Sequence, residues 1–220
     1  TSLHSFRIGH TRLLHQFTQD RDTDRLQAGV AELCRRYQET GCGWSESVAN
    51  RDYSRALATF GSLDEAGRLE PDSTETRRWM YTLWLIDDHT SLAPRLPLWK
   101  AELLAGLEAV DPYHRSPFYL GLGLLTAIEG DSGEAVEWLQ RWERQHPVDW
   151  AERMNGRHEV CRVLGMVADA PATVRCIRAG LADASLVAPF MEPMLPFYDD
   201  VRDDPEFVAL LEELEAPPVK

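Results

Sequence analysis

Between Tyr119 and Pro147 the chain spells one helical hairpin with small residues at measured intervals. It reads Tyr119-x-x-Leu122-Gly123-x-x-Thr126, then Gly130-Asp131, then Ala135-x-x-x-Leu139, then Pro147. Two apolar helical stripes are joined by a turn in which Gly tolerates positive φ and Asp caps the next helix. Gly123 and Ala135 are small where two such helices would cross, so the backbones can approach closely. A hairpin of this kind cannot bury its apolar faces alone. It calls for neighbouring helices stacked on either side.

The rest of the sequence supplies them. Leu26, Val30, Leu33, Cys34 and Tyr37 mark one apolar face, with Asp22 to Asp24 before it and Gly41-Cys42-Gly43 after it. Tyr53, Ala56, Leu57, Phe60 and Leu63 mark the next, and Trp79, Met80, Leu83, Trp84 and Ile86 a third after the break at Pro71-Asp72-Ser73. Further helices are expected over about 98–110, 118–129, 134–145, 150–168, 173–184 and 205–215. Pro, Gly and Asp punctuate between them. The stretch 185–196 is interrupted by Pro189, Pro193 and Pro196. No alternating strand pattern competes. The expectation is an all-α chain of about ten helices, an array of antiparallel hairpins with degenerate repeats forming one domain over residues 1–220.

The hairpin at 116–149 resembles a tetratricopeptide repeat, with Thr126 where Tyr is usual and Trp142 where a small residue is usual. Elsewhere Asp52 to Leu57 and Ala172 to Cys176 resemble only the second helices of such repeats. Tyr198-Asp199-Asp200-Val201-Arg202-Asp203-Asp204-Pro205-Glu206-Phe207 resembles the segment that closes tetratricopeptide domains in bacterial transcription regulators and adenylate cyclases. The run from Gly130 to Arg141 fits the same group. The resemblance implies a recognition or sensing module, part of a larger bacterial regulator, that binds a protein or peptide and carries no catalytic residue. Residues 205–215 would form its capping helix. Ligands of such domains lie along the first helices of the repeats. Here that places Leu120, Leu124, Ala127 and Ile128 in the groove, all apolar. Either other helices of this chain fill that groove, or it accepts a partner helix or a hydrophobic ligand.

Charge narrows the partners. The net charge of −13 disfavours nucleic acid. Ten acidic residues and one basic, Arg202, fall between Asp183 and Glu215. They read as a solvated end or as a dock for a basic partner. No apolar run approaches the roughly 20 residues of a membrane span, and no secretory signal is visible. The chain is expected in the cytoplasm, and its start at Thr1 suggests a processed or trimmed fragment.

The cysteines Cys34, Cys42, Cys161 and Cys176 lack metal spacing. Cys161 and Cys176 flank Asp169-Ala170-Pro171 and could face each other. Two small buried thiols and a disulfide both remain open. Neither metal nor other cofactor is expected. The competing enzyme reading rests on Asp87-Asp88 after an aromatic helix and on Asp199-Asp200-Val201-Arg202-Asp203. The latter spells the D-D-x-x-D of class I terpene synthases, whose carboxylates share Mg²⁺. Ser91 stands where the first pair needs its third acid, and both pairs read more simply as helix-end and capping groups. The seven histidines are scattered and read as surface or capping residues. A third reading is a structural subunit that buries apolar surface by self-association.

Overall fold

The computed structural model describes residues 43–60, 69–145, 150–182 and 192–215, with scattered helical positions between 9 and 36. For 150–155 and 215 only the backbone is described. The expected helix through Leu26, Val30, Cys34 and Tyr37, the residues Cys42 and Leu63, the stretch 185–191 and the tail at 216–220 lie outside that set. Among the described residues the chain is helical, and no strand is present. Its contacts group into two compact units, Thr1–Leu69 and Glu70–Lys220, where the sequence reading expects one domain over 1–220. The division falls just before the Pro71-Asp72-Ser73 break.

In the first unit, α1 (Trp44–Ala49) follows Gly43, whose φ of 77° starts the helix from a left-handed turn. The side chain of Asp52 caps α2 (Tyr53–Ala58) by accepting from Arg55 N at 3.1 Å. The two short helices pack together, and Trp44, Val48, Ala56 and Phe60 are buried.

The second unit opens with α3 (Thr74–Leu85), capped by the Ser73 hydroxyl, which accepts from Thr76 N at 3.1 Å. A short α4 (His89–Leu92) and the longer α5 (Leu96–Ala109) follow, then a 3₁₀ turn at Pro112–His114. The hairpin is α6 (Ser116–Ile128) and α7 (Ser132–Arg144). After it come α8 (Trp150–Met166), α9 (Ala170–Ala182), 3₁₀ turns at Glu192–Met194 and Pro196–Val201, and α10 (Pro205–Glu215). α7 and α9 start earlier than periodicity suggests because their caps sit further upstream. Asp131 accepts from Glu134 N at 2.9 Å, and Asp169 accepts from Ala172 N at 3.0 Å.

α6 is the centre of this unit. It packs against α3, α5, α7 and α8. That enclosure suits a helix that is apolar on every side. The hairpin closes as its residues demand: Gly130 takes φ 85°, and a Cβ on Gly123 would lie 2.9 Å from the Leu139 side chain. Ala135 is fully buried. The two unusual positions also have physical reasons. Buried Thr126 donates its hydroxyl to the carbonyls of Leu122, at 2.8 Å, and Gly123, at 3.1 Å. Trp142 is buried because Gly156 on α8 makes room, since a Cβ there would meet the indole at 2.5 Å. Its Nε1 donates to the Ser116 hydroxyl at 2.7 Å.

A disulfide between Cys161 and Cys176 ties α8 to α9, with the two Cα atoms 5.4 Å apart. Both residues are buried. The structure thus decides between the two states the sequence left open.

Candidate functional site

The groove positions are covered within the chain. Leu120, Leu124 and Ile128 are buried and Ala127 is half-buried, beneath the helices that enclose α6.

The aspartate pairs are occupied with local structure. Asp87 takes φ 58° at the end of α3, is exposed, and pairs with His89 at 2.6 Å. Asp88 caps α4, accepting from Ser91 N at 3.1 Å and from the Ser91 hydroxyl at 2.7 Å, and those bonds hold its carboxyl below the usual range. Asp199 accepts from Arg202 at 3.0 Å. Arg202 in turn donates to the carbonyls of Pro193 and Leu195, each at 3.2 Å, pinning the turn that precedes it. Asp204 accepts from Glu206 N at 2.8 Å and so starts α10. Among the described residues no group of three or more His, Cys, Asp or Glu is placed to hold a metal ion. The structure does not bring the two pairs together as ligands.

What it does bring together is a buried ionic cluster. Residues four apart on one face of α3, Arg77 and Tyr81, meet His158, Glu159 and Arg162 on α8, and the segment 192–198 closes over them. Arg77 forks onto Glu159, with Nη2 donating to Oε1 at 3.1 Å, and also donates to the Asp72 carbonyl at 2.5 Å. Tyr81 donates to the Glu159 carbonyl at 3.4 Å. Arg162 forks onto Glu192, with Nε and Nη2 each 2.7 Å from a carboxylate oxygen. Tyr198 adds its hydroxyl to Glu192 Oε1 at 2.8 Å.

Burial governs the electrostatics here. It pushes both tyrosine hydroxyls well above their usual range, and the nearby glutamates add to the shift. For Arg77 and Arg162 burial works against the charge, but Glu159 and Glu192 outweigh it, so both guanidinium groups stay protonated. His158 is not the surface or capping residue expected. It is buried, its Nδ1 has no hydrogen-bond partner, and burial next to Arg162, Arg78 and Arg77 drives its pKa well below the ordinary value.

The 3₁₀ segment Pro196–Val201 sits across α8 because Gly165 has no side chain. A Cβ there would fall 2.6 Å from the Phe197 carbonyl and 2.6 Å from the Tyr198 ring. Phe197 packs between Tyr81, 4.9 Å between ring centroids, and the Arg162 guanidinium, 5.7 Å away. Tyr198 stacks on Phe207 of α10 at 5.8 Å. Arg77, Glu159, Arg162 and Glu192 were not singled out by the sequence reading. The available signal was α8 itself. Arg157, His158, Glu159 and Arg162 are distributed around a stretch of α8, residues 156–166, in which every residue is buried.

Comparison of the chain with protein-family models, with curated protein sequences and with solved structures finds no match. No described helix is long and apolar enough to cross a membrane.

Proposed function

We propose that this chain is a partner-binding helical module, of the tetratricopeptide-like kind, serving a larger bacterial regulator. The observation that carries the reading is the α6–α7 hairpin. Its two helices approach closely at Gly123 and Ala135 and are joined by the Gly130-Asp131 turn, and such a hairpin supports the repeat reading. The closing segment supports the same reading. Val201 and Phe207 are buried, Arg202 straps the turn, and Asp204 caps the last helix. The cluster around Arg162 belongs to this scaffold: its charges are paired and enclosed rather than presented to a substrate.

The test is reconstitution. A partner identified by cross-linking in the source cell, purified and mixed with the full chain, should form a stoichiometric complex that raises the melting temperature. At one hundred times Kd the added stability is about 2.7 kcal/mol. Tight Mg²⁺ or diphosphate binding that disappears in Asp199→Asn would replace this reading with the enzymatic one.

One observation favours a different location from the cytoplasmic one the sequence suggested. A buried Cys161–Cys176 bridge is the kind that forms and persists in an oxidising compartment. Alkylation of free thiols in cells, followed by mass spectrometry, separates the two. Bridged cysteines in the native protein would place it outside the reducing cytosol.

A further inference from the structure

A surface helix ordinarily turns polar side chains to water. α7 does so, exposing Glu137, Gln140, Arg141, Glu143 and Arg144. α5 does the reverse. It buries Trp99 and Leu103, yet the side it leaves in solvent carries Pro97, Leu98, Ala101, Leu104, Ala105 and Ala109. Leu98 is 70% exposed and Leu104 39%. At 3.6 residues per turn, Leu98, Ala101, Ala105 and Ala109 fall on one ridge, flanked on one side by Pro97 and Leu104. The ridge runs most of a helix about 21 Å long. From Leu98 to Ala105 it is a contiguous apolar face rather than the scattered exposed leucines any surface shows.

Carboxylates adjoin it. Glu102 lies along one edge, Glu108 sits near the C-terminal end of the face between Leu104 and Ala105, both exposed, and Asp111 is exposed just beyond the helix end. The only base on α5, Lys100, points away to Glu129 at 2.9 Å and Glu134 at 3.1 Å.

We propose that this face docks an amphipathic helix of a partner protein, apolar on the contact side and carrying Lys or Arg where it meets Glu102 and Glu108. Ala101 and Ala105 are small side chains on this face, with the larger Leu98 and Leu104 on either side of them, the alternation that ridge-and-groove packing uses. Those basic groups answer Glu102 and Glu108. The same charges argue against a second copy of this chain. A two-fold contact through this ridge would bring two sets of these carboxylates together, which costs free energy. The inference rests on the partner-binding reading and moves its surface from the filled groove on α6 to α5.

The test uses the full chain and three synthetic peptides read by fluorescence anisotropy. One is a Leu/Lys amphipathic helix, one a scramble of equal composition, and one the same helix with Glu for Lys. The first should bind at least about tenfold more tightly than either control, a difference of about 1.4 kcal/mol. Leu98→Asp combined with Ala105→Asp should abolish that binding while leaving the melting temperature unchanged, because both positions face solvent. Glu102→Lys with Glu108→Lys should weaken the basic peptide and admit the acidic one. Equal binding of the scramble, or binding indifferent to the α5 substitutions, overturns the proposal. So does a concentration-dependent dimer that Leu98→Asp dissolves. If the native partner binds parent and α5 variants equally, the partner-binding reading survives and this surface falls alone.

Discussion

Replacing Glu192 by Gln should be among the most damaging single-atom changes this protein can suffer. The Glu192 carboxylate takes two donors from Arg162 at 2.7 Å and one from Tyr198 at 2.8 Å. The two side chains are 2% and 5% exposed. A Gln keeps the shape but removes the charge and turns an NH₂ group toward the guanidinium, donor against donor. The buried Arg162 cation then loses the carboxylate it forks onto, and breaking such a pair costs about 3–5 kcal/mol. In a unit of this size each kcal/mol moves the melting temperature by about 2–4 °C, so a drop of roughly 6–20 °C is expected. Removing both charges separates pairing from packing. Arg162→Met with Glu192→Leu eliminates the buried ions together, leaving chiefly the Tyr198 hydroxyl unpaired at about 1–3 kcal/mol. Urea unfolding followed by tryptophan fluorescence, with the m-value checked for constancy, would measure both. The reasoning is refuted if Glu192→Gln lies within about 1 kcal/mol of the parent, or if the double variant is the less stable of the two.

Other expectations follow from the same packing. Ala135→Trp should destabilise the protein by roughly 1–3 kcal/mol or more, because Ala135 is fully buried at the α6–α7 crossing; an unchanged thermal melt would remove the basis of the hairpin reading. Acid should weaken the fold through His158. Its folded pKa is lowered, so below about pH 6.5 the unfolded chain binds the extra proton and stability falls with pH, while above that value the contribution is flat. The urea midpoint should therefore drop less between pH 7.5 and 5.5 in His158→Gln than in the parent, and equal drops would discount the effect. Reducing Cys161–Cys176, which spans 15 residues, should cost about 3 kcal/mol on the chain-entropy account, read as a lower melting temperature in dithiothreitol that Cys161→Ala with Cys176→Ala reproduces. Truncation after Asp203 removes Phe207 and Leu210 from the core and should lower stability and promote aggregation, seen by light scattering; a monomer with the parent's melt would mark α10 as a loose tail.

Much of the local architecture was written in the sequence, because its determinants are local. Helix starts follow from Ser73, Asp131, Asp169 and Asp204, whose side chains cap the residues just after them. Gly130 and Asp131 make one turn for reasons contained in two residues. Short-range hydrogen bonds and backbone sterics leave a readable mark. The groove on α6 shows the limit of such reading. Leu120, Leu124, Ala127 and Ile128 share a helix in any register, but only the placement of α3, α5 and α8 decides whether they meet a partner or the protein itself. Arg77 and Glu159 are 82 positions apart, and Arg162 and Glu192 are 30. No periodicity marks such pairs, since a lone charge on a helix looks the same whether it will face water or a counter-ion. The outward face of α5 was likewise hidden. Leu98, Ala101 and Ala105 look like core residues until the fold assigns Trp99 and Leu103 to that role, and it is the packing of whole helices that chooses which side of α5 is left in water.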